Sequence, residues 1–137
     1  MAKAGDFYEI ELKPSHIEWG EYRYTNTRDI RDNEGYIPIP KNKAMEYGIL
    51  NSNGTKNKAD VMGINLFKCV SSDGYYKGIL KAQGSSTAGD IYAKQFSGFG
   101  DLQAVGNWYN NVNAKVGDIV RVKWVRPDEV VIEILHR

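Results

Sequence analysis

Glu11 and Lys13, one residue apart in EIELK, come nearest to a catalytic pair in this chain. At that spacing on a strand the two side chains share a face. A carboxylate there can hold Mg2+ and an ammonium can position water, which is the E-x-K half of a metal-dependent nuclease site. Such a site also needs an upstream acidic residue on a neighbouring strand. Here only Asp6 precedes it, on the same strand, and Asp128 in RPD falls in a turn at the wrong end. His16 and His136 are the only histidines, and both read as surface side chains rather than as an acid–base pair. Cys69 sits inside an apolar strand pattern and reads as a buried, inert thiol. No G-x-S-x-G, P-loop or H-E-x-x-H pattern occurs. The expectation is a non-catalytic protein with no cofactor and no metal, with a nuclease built on Glu11 and Lys13 as the alternative.

Two polar segments offer a different chemistry. Residues 21–33 carry Arg23, Tyr24, Asn26, Thr27, Arg28, Arg31 and Asn33; residues 81–95 carry Lys81, Gln83, Ser85, Ser86, Thr87, Lys94 and Gln95. An arginine fork matches guanine, Asn and Gln match adenine, and Ser, Thr and Lys hold phosphate. Asp29, Asp32, Glu34 and Asp90 interrupt both clusters, so neither is a plain polybasic patch. That mixture fits selective recognition better than indiscriminate phosphate binding, although two solvated loops would have a similar composition. Tyr and Trp as stacking platforms for RNA or carbohydrate form a third reading.

The elements that must carry these segments are short. Tyr8, Ile10 and Leu12 alternate with Glu9 and Glu11 in FYEIELK (7–13), a half-buried strand ended by Pro14. Residues 15–35 have no sustained period and read as a long loop or ribbon. In YIPIP, Ile37 and Ile39 point one way, while Pro38 and Pro40 lack an amide hydrogen, which confines the segment to a sheet edge. KNKAMEYGIL (41–50) reads as a short helix entered from Pro40 and ended near Gly48. A polar loop (51–60) leads to strands at 63–70 and 75–83, joined across SSDG. A small-residue loop (84–89) and a strand at 90–96 follow. A helix at 101–112 places Leu102, Val105, Tyr109 and Val112 on one face. The chain closes with a hairpin of 115–125 and 129–135, in which Val120, Val122 and Trp124 face in and Arg121 and Lys123 face out. The fold class is mainly β, with about seven strands in a barrel-like sheet and two short helices plugging its ends.

The bulk numbers agree with one domain spanning 1–137: 42% hydrophobic, 26% charged and a net charge of +1, with no global pull towards nucleic acid or membrane. The 16 aromatics (three Trp, nine Tyr, four Phe) mostly suit a β-rich core. A single cysteine and an N-terminus without an apolar signal core fit a soluble protein of a reducing, cytoplasmic setting.

Three stretches carry a family resemblance: EGYIPIPKNKAMEYGI (34–49), KAQGSSTAGDIYAKQF (81–96) and VNAKVGDIVRVKWVRPDEVVIEI (112–134). Together, and through the order of elements, they resemble the DNA-binding pseudobarrel of the plant B-three type. The version used as the effector or target-recognition domain of EcoRII-, BfiI- and NgoAVII-like bacterial restriction endonucleases is the more similar. The entry through Gly117 and Asp118 into a basic, alternating strand pair is similar to that family's closing hairpin. The resemblance implies a seven-stranded open pseudobarrel with helices at its mouths, gripping duplex DNA through two major-groove arms, here about 21–33 and 81–95. It implies no catalytic residue, no cofactor, and a nuclease domain either fused or separate.

Overall fold

Alternation organises the two longest strands. In the closing hairpin Val120, Val122, Trp124, Val130 and Ile132 are fully buried, while Lys123 and Val125 are exposed. The computed structural model describes residues 2–17, 35–52, 61–84, 91–101 and 103–136. Within them the elements are β1 (Phe7–Glu11), α1 (Pro14–Ile17), β2 (Ile37–Pro38), α2 (Lys41–Tyr47), β3 (Leu66–Ser71), β4 (Lys77–Gln83), β5 (Gln95–Gly98), α3 (Ala104–Asn111), β6 (Ile119–Arg126) and β7 (Glu129–Leu135). Seven strands form one sheet in the order β1-β6-β7-β3-β4-β5-β2. Every pairing is antiparallel except β3 with β7. No helix among the described residues is long and apolar enough to cross a membrane.

The sheet curls around an aromatic centre. Trp124 is fully buried, its ring centroid 5.2 Å from Tyr47, 5.8 Å from Phe67, 6.3 Å from Tyr8 and 6.5 Å from Phe96. These tilted and edge-on geometries suit ring quadrupoles as well as volume. The indole nitrogen of Trp124 is buried without a hydrogen-bond partner among the described residues.

The end strands β1 and β2 nearly close the barrel. Tyr8 Oη donates to the Pro38 carbonyl at 3.0 Å, and Tyr47 Oη donates to the Phe7 carbonyl at 2.8 Å. Burial, followed by the neighbouring Tyr109 and Cys69, pushes the Tyr8 phenol well above its usual value, so it stays a donor. The prolines of YIPIP now have a reason. Ile37 stands opposite Phe96, and the Ile39 N–H bonds the Lys94 carbonyl at 2.8 Å, so both serve the β5 side. Backbone groups alternate along a strand, which turns the Pro38 amide position towards the open seam. A proline there leaves no donor unpaired, and its carbonyl is the one Tyr8 takes. Pro40 then caps α2, and Gly48 ends that helix in the left-handed conformation, φ 65°.

Several expectations need correction. The first strand stops at Glu11, and Pro14 begins a helical turn rather than only ending a strand. The His16 ring explains that turn: Nδ1 accepts the Lys13 N–H at 3.0 Å, as an N3 side chain does in a capping box. The strand expected at 90–96 becomes β5 at Gln95–Gly98. Residues 91–94 instead bond towards the chain around Ile49, through the Ala93 N–H to the Ile49 carbonyl (3.0 Å) and a bridge of Tyr92 with Leu50. His136 is exposed, as expected, but it is paired. Its Nδ1 lies 2.8 Å from Oδ2 of Asp118, a carboxylate that is 4% exposed. Cys69 is buried as expected, and burial drives its thiol pKa upward.

Candidate functional site

The chain ends that flank the first polar segment are clamped together. The Tyr36 N–H bonds the His16 carbonyl at 3.1 Å, and the two rings meet edge-on at 5.3 Å. Tyr109 Oη, from α3, donates to the Tyr36 carbonyl at 2.8 Å. Gly35 packs tightly here: a Cβ would stand 3.0 Å from the His16 carbonyl oxygen, 3.1 Å from the Tyr109 ring and 3.2 Å from Gly106 Cα, so any larger residue would push these neighbours apart. Burial, then the charge of Lys13, lowers the His16 pKa, which keeps Nδ1 free to accept. Arg23, Tyr24, Asn26, Thr27, Arg28, Arg31 and Asn33 lie outside the described residues.

The ends of the second segment are held just as firmly. The Lys94 N–H bonds the Gln83 carbonyl at 2.8 Å, and the Asn51 N–H bonds the Ile91 carbonyl at 2.8 Å. Asn51 is completely buried, and a Cβ on Gly84 would come within 3.1 Å of its amide nitrogen. Ser85, Ser86 and Thr87 lie outside the described residues.

Between these two clamps is the outer face of β4 and β5. Lys81 stands opposite Ser97 and Gln83 opposite Gln95, which also faces Pro38 of β2. Leu80, Ala82 and Phe96 point inward, each fully buried, so these polar residues share the outer side. Lys81, Gln83 and Gln95 are therefore strand residues with strand-defined directions. Lys81 Nζ sits 5.7 Å over the Phe99 ring, and Ser97 Oγ donates to Gln83 Oε1 at 2.8 Å. Lys94 is exposed, beside Ile39, Lys41, Met45 and Ile91 in an open groove of about 440 Å3.

Sequence patterning did not single out Ser97, Phe99 or Asn51. Ser97 and Phe99 fall outside the strand expected at 90–96, and Asn51 reads as the first residue of the polar loop 51–60, which carries no sign of burial. The Glu11 and Lys13 geometry also changes. Lys13 lies beyond the end of β1 and precedes α1, so strand alternation does not carry from Glu11 to it. No group of three or more His, Cys, Asp or Glu side chains suited to a metal ion occurs among the described residues.

No protein-family model matches the sequence, and no curated protein matches it either. Solved structures do. The N-terminal domain of Helicobacter pylori LlaJI.R1 is similar with a TM-score of 0.51 at 12% identity, covering 95% of this chain and 87% of that one. Arabidopsis FUS3, solved as a DNA complex, is similar with a TM-score of 0.55 at 15% identity, covering 95% and 97%. The chain thus has the fold of the B-three-like pseudobarrel, over nearly its whole length.

Proposed function

We propose that residues 1–137 act as one sequence-specific double-stranded DNA-binding domain, the target-recognition or effector module of a restriction system. It carries no catalytic residue of its own, takes no cofactor, and works with a nuclease domain that is fused or separate. The observation that carries this reading is the two clamps, Tyr36 to His16 and Lys94 to Gln83, that tie the described ends of both polar segments to the barrel. A similar fold has been solved with DNA. The first arm presents Arg23, Tyr24, Asn26, Thr27, Arg28, Arg31 and Asn33. The second presents Ser85, Ser86, Thr87 and Lys94, with Lys81, Gln83 and Gln95 on the sheet between. At least one arginine of the first arm reads a base edge, so its replacement by Ala costs about 1–3 kcal/mol and relaxes one base position.

The test is selection on a randomised duplex, with and without Mg2+. Recovery of a consensus without cleavage supports the proposal. Metal-dependent cleavage abolished by Glu11→Ala or Lys13→Ala replaces it with the nuclease reading, and failure to retain any duplex points to an RNA or carbohydrate module.

A further inference from the structure

Helix α2 divides two grooves that differ in charge. On one side, about 440 Å3 lies between the helix and residues 91–94, with Ile39, Met45, Ile91 and Ala93 in its walls beside Lys41 and Lys94. No carboxylate lines it. Met45 is 52% exposed and Ile91 59%, so apolar surface stands open next to two ammonium groups. On the other side, about 520 Å3 runs between the helix and β1, and there Asp6 and Glu9 join Lys43 in the lining.

Lys41 and Lys43 are therefore not equivalent, although only two residues separate them. Lys43 Nζ pairs with Glu46 at 3.2 Å and lies 5.4 Å over the Tyr47 ring. Lys41 makes no ion pair among the described residues. The backbone sets its place. The Ile39 N–H bonds the Lys94 carbonyl at 2.8 Å, and Pro40 then turns the chain into α2, which Lys41 begins. Met45 follows Lys41 by one helical turn and shares its side of the helix. The Lys94 N–H bonds the Gln83 carbonyl at 2.8 Å, where the second polar segment rejoins the sheet.

Resting on the DNA-binding reading above, we propose that this groove seats the sugar–phosphate backbone beside the second segment, with Lys41 and Lys94 as its phosphate contacts. A duplex backbone offers anionic oxygens to the two ammonium groups and apolar sugar carbons to Met45 and Ile91. An acidic peptide shares the charge, but the groove is continuous through Lys94 with the proposed DNA interface, which favours the duplex. The groove along β1 presents Asp6 and Glu9 to any polyanion and stays outside the interface.

The test measures affinity for the duplex that wild type selects, from about 50 to 200 mM salt, where each phosphate contact adds about 0.9 to the slope of log affinity against log salt. Lys41→Ala should flatten the slope by about that amount, so its deficit against wild type narrows roughly three- to four-fold over the range. Lys41→Arg should restore the slope and Lys43→Ala should match wild type. Melting should not move with Lys41→Ala, because a cation in the first turn of a helix gains nothing from the helix dipole. A methylphosphonate flanking the consensus should weaken wild type but not Lys41→Ala, which places the contact on the duplex.

An unchanged slope for Lys41→Ala overturns the proposal, while retained consensus binding leaves the DNA-binding reading standing. Equal flattening by Lys41→Ala and Lys43→Ala also overturns it, since diffuse charge and not the groove would then be acting. Capture of polyglutamate that Lys41→Ala abolishes, with duplex affinity unaltered, assigns the groove to an acidic protein instead. Wild type that retains no duplex removes both readings.

Discussion

Trp124 offers the sharpest test of how the barrel is held. Its side chain is fully buried among Tyr8, Tyr47, Phe67 and Phe96, so Trp124→Ala opens a cavity at the centre of the sheet. Truncating a buried aromatic to Ala costs about 3–5 kcal/mol. Against a domain stability of about 5–15 kcal/mol, that is a large fraction. It corresponds to a melting shift of roughly 10–20 °C for a chain of this length. Trp124→Phe separates volume from polarity. It retains a ring in the cluster and removes an indole N–H that is buried without a partner, a group whose burial costs about 1–3 kcal/mol. The lost packing and the recovered desolvation oppose each other, so the Phe variant should fall within about 1 kcal/mol of wild type. Equilibrium urea unfolding, followed by far-ultraviolet circular dichroism because tryptophan is being removed, reads both values. A Phe variant as costly as the Ala variant would show that the indole nitrogen finds a partner. An Ala variant costing less than about 1 kcal/mol would show that Trp124 is not the centre of the core.

Three further outcomes follow from the geometry. Tyr47→Phe removes the hydroxyl that caps the Phe7 carbonyl across the seam, and chemical unfolding should show a loss of about 1 kcal/mol. Lys94→Ala removes an exposed side chain, so melting should hardly change, while the slope of log affinity against log salt should flatten by about one if Lys94 holds a phosphate. A melting loss with an unaltered slope would reassign Lys94 to the scaffold. His16 has a folded pKa below its ordinary 6.5, lowered first by burial and then by Lys13. The unfolded chain therefore binds the proton first. Stability from neutral His16 is complete above about 6.5 and is lost as pH falls from there through the lowered folded value. Thermal melts from pH 7.5 to 5 should show this fall in wild type and not in His16→Gln.

Much of the scaffold was legible because periodicity is a local property. Tyr8 and Leu12, and Val122 and Trp124, alternate with polar residues, Ile37 and Ile39 alternate with prolines, and all six are buried. Pro40 and Gly48 punctuate α2 through backbone restrictions that belong to those residue types. The polar character of the two segments was equally plain, because 21–33 carries no core periodicity. The pairing of strands remote in sequence was not legible. The parallel contact of β3 with β7, the shift of β5 to Gln95–Gly98, and the tyrosine bonds across the β1–β2 seam depend on register between distant segments. The same holds at the site. Composition could nominate Gln83 and Gln95 together. Only tertiary structure places Ser97 within 2.8 Å of Gln83 Oε1. A residue type sets which hydrogen bonds are possible; the partner that occupies one of them is chosen by the folded sheet.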